Sequence, residues 1–490
     1  PRSTPSNSSA ASDVYKRQEL DVYDYLAIAI VLLTFVSRIA LSPHCLWIDE
    51  ARELSIARNL LRTGKTTYLR SPWSQHPIMF YLLIALNFLL FGFTDFAGLL
   101  IPMALGSLTV LLIYLIGAEM GNKKLGLIAS LLLAFHPLFW FLSDRILNDV
   151  PVTFFITLSI YFFLKGEKDD KYMWLAGISS ALAVLTKVVA ISLFPFYLIY
   201  LTVKHREKFL FERKYWVALG LFFLIFSSWM LKNYLDFGYF LPLELYIGRI
   251  TAGQEVLDAQ PPQYYLLNLP SILRWWLFLL FTWGLFCSYL RRFKDTFPFV
   301  LYALVFFIII SSQTVKVPRY LLPMLPPIVL VSAVGLDKLM RDFKTSGLLL
   351  VLTILLFVLY SSTSEATALI RSKAKGFCGL KDVGNWLRPV IGDKGIIAGS
   401  TMQIAWYADT NNVYGFPRNE SSFDDFVKEN NISFIVVDAW ERTQPRYVYM
   451  PVEGGYAFWY PYFLNRSIYP VVQPIVFEDR VVAVIYGVES

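Results

Sequence analysis

Asp49 and Glu50 stand side by side in "LWIDEARELSIARNLLRTGK", residues 46–65, directly after the first long apolar run. Carboxylates beside lipid are costly, so adjacent ones at a membrane surface point to a site. A carboxylate within reach of a hydroxyl can take its proton. Asp49 is also placed to cap a helix that starts there, which is its structural alternative. Cations recur in comparable places. Lys187 interrupts an apolar run, Lys316 and Arg319 share a short loop with Tyr320, and Arg145 precedes Asp149 by four residues. They suit the stabilisation of a departing anion. The alternatives are snorkelling to headgroups and, for Arg145, an i,i+4 pair with Asp149. His76, in "RSPWSQHPIMFY" (70–81), would touch an acceptor or a phosphate, or simply open an interfacial helix. Asp144 and Asp149, with Asp49, offer the oxygen ligands that Mg²⁺ or Mn²⁺ takes. No cofactor is required by this pattern, and the metal stays open.

The elements that must position these residues follow from composition. The chain has 490 residues, is 56% hydrophobic and 17% charged, and has mean hydropathy +0.50. Soluble proteins carry about 25% charged residues. Continuous apolar runs of roughly 17–24 residues indicate transmembrane helices, because lipid offers no partners to backbone polar groups. Runs lie at about 25–41, 78–93, 98–119, 125–142, 151–164, 172–203, 215–231, 267–290, 296–312, 320–336 and 346–361. The 172–203 run is too long for one helix and splits at Thr186 and Lys187. Segment 50–62 is amphipathic, with Leu54, Ala57 and Leu61 on one face, and Gly64 is a stop signal. It reads as a helix lying on the outer leaflet.

Net charge is +7. The basic residues gather in short loops, which suits membrane orientation rather than nucleic acid, and no nucleic-acid module is found. The loops "GNKK" (121–124), "KGEKDDK" (165–171), "KHREKFLFERK" (204–214), "RRFK" (291–294) and "DKLMRDFK" (337–344) all face one side only if 78–93 does not cross. That segment therefore reads as re-entrant or interfacial. The result is an all-α polytopic plasma-membrane protein of about eleven spans, N-terminus cytoplasmic and C-terminus outside.

Residues 363–490 change character, with β-like runs at 395–400, 432–439 and 480–488 and a helical stretch at 380–391. They read as an extracytoplasmic α/β domain carrying sequons at Asn419, Asn431 and Asn465. Residues 1–18, polar and Ser-rich, read as a foreign or disordered leader, which leaves 19–362 as the transmembrane catalytic domain. Cys45, Cys287 and Cys378 show no disulfide framework or metal-knuckle spacing. A Cys45–Cys378 bridge is conceivable, with unpaired thiols the simpler reading.

Several motifs in order carry a family resemblance. "WIDEAR", then "SPWSQHP", resembles the first external loop of the GT-C glycosyltransferases, in the branch of protein O-mannosyltransferases (glycosyltransferase family 39) and aminoarabinose transferases. Residues 117–155, "LAVLTK" (182–187), "SSWMLKNYLDFGYF" (227–240) and "KVPRYLLPMLPP" (316–327) resemble later segments of that family, so the likeness spans about residues 20–340. It implies a GT-C fold and inverting transfer of a sugar, mannose-like or aminoarabinose-like, from a polyprenyl-phosphate carrier to an acceptor hydroxyl on a protein, lipid or glycan. Asp49 matches the family's catalytic acid and would act as general base, with Glu50 orienting it, binding the acceptor or raising its pKa. Asp149 matches a second-loop acid that helps bind a metal in some members and not in others. His76, Arg145, Lys187, Lys316, Arg319 and Tyr320 are the substrate-binding candidates.

A transporter or flippase of lipid-linked sugars is the alternative. Such proteins tend to place charges near the bilayer midplane, whereas these charges cluster at one face.

Overall fold

The computed structural model describes residues 20–41, 45–73, 76–240, 259–392, 395–399 and 402–439, and shorter stretches between 447 and 488. The expected leader, 1–18, lies outside the described residues. Helix α1 (Val22–Leu41) leads to α2 (Ile48–Thr63), a short hairpin of β1 (Thr67–Tyr68) and β2 (Ser71–Pro72), and α3 (Met79–Phe91). Next come α4 (Asp95–Glu119), α5 (Lys123–Ala134), α6 (Pro137–Ser143), α7 (Asp149–Gly166), α8 (Met173–Thr186), α9 (Leu193–His205) and α10 (Arg213–Phe237). After them stand α11 (Tyr264–Ile272), α12 (Trp275–Arg291), α13 (Phe293–Ser311) and α14 (Leu325–Ala374).

Among the described residues, seven helical segments are long and apolar enough to cross a membrane, or up to nine if each bent pair is one span. The α5/α6 pair bends by 67° at His136, whose helical conformation the following Pro137 disfavours. The 267–290 run, expected as one helix, is two, with a 103° bend where Arg274 takes φ 65°. The 172–203 run breaks where expected: α8 ends at Thr186, and a 3₁₀ segment, Val188–Ser192, precedes α9. The last apolar runs lie in α14, which holds a non-helical Lys344 (φ 49°).

Two charged faces result. Lys123 pairs with Asp21 and Asp24, Lys168 with Glu119, and Lys204 with Glu167. Arg292 reaches the Met120 carbonyl, and Asn122 donates to Asp337. All five basic loops therefore meet on one face. On the other face, Asp95 at the start of α4 accepts from Trp406 and Tyr407 and pairs with Lys381. Helix α1 starts on the basic face and α4 starts on the opposite one. Helix α3, at 13 residues, rises only about 20 Å, which falls short of the hydrocarbon core. By length it is too short to cross by itself.

Above that opposite face sits a five-stranded sheet of order β4-β3-β5-β7-β6, formed by Val413–Tyr414, Ile397–Ala398, Phe434–Asp438, Arg480–Gly487 and Val471–Phe477. The first three are mutually parallel, and β7 and β6 join antiparallel. Pro474 is tolerated because β6 is an edge strand. Helix α15 (Cys378–Ile391) packs Leu380, Val383 and Leu387 with Ile397, Val436 and Ile485. Helix α17 (Phe423–Glu429) packs on the other face with Ile435, Val437 and Val484. Between them in sequence, α16 (Met402–Tyr407) lies against α2.

Cys45 and Cys378 form a disulfide, which corrects the reading of unpaired thiols: the fold brings their Cα atoms to 5.0 Å. Spacing could not show this, because the partners are 333 residues apart. The bond ties the start of α2 to α15. Replacing both cysteines by serine is expected to cost about 2–4 kcal/mol of stability, read as a fall in thermal midpoint and faster proteolytic release of the C-terminal unit. Cys287→Ala should leave that release rate unchanged.

Candidate active site

Helix α2 is largely buried, contrary to the expected surface helix. Part of its polar face is covered by the C-terminal unit. Arg58, 1% exposed, and Arg62 both bind Asp409, and Asn59 exchanges hydrogen bonds with Asn411. Gly64 ends the helix at φ 75°, as its sequence signal indicates.

At the other end of α2, the two acids part company. Glu50 is fully buried and accepts from the Trp47 backbone N–H at 2.7 Å and the Ile146 N–H at 2.9 Å. The capping role weighed for Asp49 thus belongs to Glu50. Arg145 lies 3.7 Å from Glu50 and sits over the Trp47 ring at 4.4 Å. It does not form the i,i+4 pair with Asp149.

Asp49 faces a different way and is 32% exposed. One oxygen receives Arg52 at 2.9 Å and the other Arg319 at 3.3 Å. The Arg319 Nε lies 4.0 Å from Asp149, whose second oxygen accepts from Lys187 at 2.6 Å. Arg52 is backed by buried Glu53 at 3.3 Å. Six charges therefore alternate in a line: Glu53, Arg52, Asp49, Arg319, Asp149, Lys187. Tyr320 lies under Lys187 at 4.6 Å and near Arg319 at 5.7 Å.

Each group is placed by a helix end. Asp49 is in the first turn of α2, Asp149 opens α7, Lys187 closes α8, and Arg319 lies in a 3₁₀ turn (Pro318–Met324) entering α14. Lys316 is turned elsewhere, donating to the backbone carbonyls of Gln260 and Gln313. His76 feels Lys187, Arg52, Arg319 and Asp49. Burial lowers its pKa well below the ordinary value, and the three cations add to this, so its imidazole is neutral at pH 7.

Burial works to raise the Asp49 pKa, but Arg52 and Arg319 outweigh it and hold the carboxyl below its ordinary 3.8. The expectation that Glu50 would raise it is not met. Among the described residues no group of three or more His, Cys, Asp or Glu side chains is placed to hold a metal. Asp49 and Asp149 have a guanidinium between them, so the donor set does not fit Mg²⁺ or Mn²⁺. Arg52 and Glu53, on the polar side of segment 50–62, are site residues that sequence alone does not single out. The i,i+3 spacing of Asp49 and Arg52 was the available signal for that pair.

A mostly helical membrane body, a carboxylate–guanidinium chain at one face and an α/β unit above it define a class. That class is the one formed by the GT-C membrane glycosyltransferases, which this chain resembles in fold and, over part of its length, in sequence. A family model described as dolichyl-phosphate-mannose-protein mannosyltransferase matches residues 75–231. The chain is 28% identical over 342 residues to an uncharacterized protein of Aquifex aeolicus, covering 67% of this chain and 66% of that protein. It is 29% identical over 308 residues to undecaprenyl phosphate-alpha-4-amino-4-deoxy-L-arabinose arabinosyl transferase 1 of Pseudomonas fluorescens, covering 59% of this chain and 55% of that protein. The chain thus spans two thirds or less of the length of these curated relatives. Its fold resembles ArnT from Cupriavidus metallidurans in the apo state (TM-score 0.75, 14% identity, 98% of each chain). The same enzyme bound to undecaprenyl phosphate gives TM-score 0.73 at 14% identity, covering 94% of this chain and 97% of that one. The archaeal oligosaccharyltransferase AglB of Archaeoglobus fulgidus gives TM-score 0.60 at 15% identity, covering 84% of this chain and 69% of that one.

Arg319→Gln should raise the pH at which Asp49 protonates, because it removes one of two cations holding the carboxyl down. Carbodiimide labelling of Asp49, which needs the protonated acid, measures this across a pH series. An unchanged midpoint would show that Arg319 does not act on Asp49.

Proposed function

We propose that this protein transfers a sugar from a polyprenyl-phosphate donor to an acceptor hydroxyl at the face carrying the α/β unit, with Asp49 as general base. The observation that carries the reading is Arg319 lying between Asp49 and Asp149 beside Lys187. One group that accepts protons thus stands beside two that bind anions. Asp49 takes the acceptor proton as its oxygen attacks the anomeric carbon. The bond from that carbon to the phosphate oxygen breaks on the opposite side, which inverts the centre. The phosphate leaves as an anion and needs no proton. Arg319 and Lys187 neutralise it, with Tyr320 beneath them.

The partial exposure of Asp49 supports approach of an acceptor, while 4% exposure of Asp149 suits a group that holds Lys187 and Arg319 in place. Asp49 is ionised at neutral pH. It gains basicity when a bound phosphate draws Arg319 away. Glu50 and Arg145 support the site from behind, His76 contacts the acceptor or the phosphate, and Lys316 contributes by holding the 3₁₀ turn.

The donor sugar is of the mannose or aminoarabinose kind, by likeness to the named relatives. The acceptor is a protein, a lipid or a glycan. The N-terminus is cytoplasmic and the basic face is the cytoplasmic one, as expected from the clustering of lysine and arginine. Residues 19–362 form the catalytic membrane domain and 363–490 an extracytoplasmic domain that helps choose the acceptor. The docking of α16 on α2 supports this last point.

Purified protein in lipid is to be assayed with a panel of radiolabelled polyprenyl-phosphate sugars. Asp49→Asn should lower transfer at least 100-fold while still retaining donor, the size of a lost general base. Lys187→Gln should instead weaken donor retention. If no donor is turned over and sugar lipid crosses the bilayer equally with either variant, the transferase reading gives way to a flippase.

A further inference from the structure

On the basic face, away from Asp49, a cavity of about 660 Å³ opens between the ends of α4, α7 and α9 and the start of α13. Its floor is apolar and aromatic, with Ile116, Leu164, Phe297 and Phe299. Its rim holds four lysines, Lys165, Lys168, Lys204 and Lys294.

The acids at the rim do not cancel these cations. Glu119 is shared by Lys165 at 3.6 Å and Lys168 at 3.0 Å. Glu167 is shared by Lys204 at 2.8 Å, His205 at 2.7 Å and Lys214 at 4.0 Å. Asp295 is taken by Arg292 at 3.0 Å. Lys294 is exposed and has no acidic partner among the described residues. The opening therefore has more cationic than anionic groups. Val203 and Phe293, both lining the cavity, are exposed apolar residues, so one wall continues onto surface that meets lipid.

We propose that this cavity binds one anionic phospholipid of the adjacent leaflet, its phosphate among the lysines and the first part of its chains on the aromatic floor. A small soluble anion would satisfy the lysines and leave the floor bare. A zwitterionic lipid would cover the floor and bring no net charge to the rim. Basic pockets between transmembrane helices at such a face suit anionic headgroups. The site lies on the face opposite the candidate active site and does not depend on the transferase reading.

Native mass spectrometry of the full chain in detergent, with added phosphatidylglycerol or phosphatidylcholine, tests this. Phosphatidylglycerol should be retained in preference to phosphatidylcholine. Lys204→Gln/Lys294→Gln should weaken its retention roughly 30-fold, about a factor of five for each ammonium. Val203→Trp should block it with all charges intact, and it decides the matter if the lysine variant fails to fold. Lys338→Gln, on the same face outside the cavity, should bind like the parent. Equal retention of the two lipids, parent-like binding by a folded lysine variant or by Val203→Trp, or an equal loss in Lys338→Gln would each overturn the proposal. Displacement by excess inorganic phosphate would assign the rim to small anions instead.

Discussion

Arg319 lies between Asp49 and Asp149, acids that enter from segments a hundred residues apart. The charged groups of this line would repel or desolvate badly if left alone at a membrane surface. Alternation solves this. Asp49 and Asp149 each have a cation on either side, and Arg52 and Arg319 each have a carboxylate on either side. The four segments that carry these groups must then meet at one height, and the helices behind them take their register from that meeting.

The same constraint explains why α2 is buried rather than afloat. Its first turn must reach Arg319, so its body lies over the ends of the membrane helices. Its polar face is then available to the α/β unit, where Asp409 takes Arg58 and Arg62. Arg58 is nearly inaccessible to water, and a buried guanidinium requires a partner. The Cys45–Cys378 bond fixes the approach to α2 from the same side. The α/β unit is thus coupled to the candidate site through one helix, which has Asp49 at its start and the Asp409 contacts toward its end.

Much of this was legible in the sequence, for identifiable reasons. Apolar runs and short basic loops report on lipid and on charge, which act locally, so the helices and the shared face of the five loops could be read directly. The break at Lys187 was visible because a lysine cannot continue an apolar span unnoticed. The bend within 264–291 was hidden, since hydropathy does not record direction and Arg274 gives no signal for positive φ. Pairings were hidden too. Nothing near Asp409 or Cys378 points to residues some 350 positions earlier, because tertiary contact, not spacing, selects those partners. Asp49 and Glu50 look equivalent in sequence. Adjacent positions on a helix point about 100° apart, so one carboxylate turns into the protein and the other to the site.

That divergence bears on how the site works. An acid held by two guanidinium groups is a weak base, and a weak base is a poor catalyst until its partners are drawn off. On the proposed transferase reading, the group best placed to draw off Arg319 is an incoming phosphate, which carries the charge that Asp49 and Asp149 supply in its absence. On that reading, arrival of the donor would raise the basicity of Asp49 just when an acceptor needs it. Without donor, the carboxylates keep the cations in place and paired. The alternating line of charges would in this way serve both as a scaffold and as a means of linking basicity to the presence of substrate.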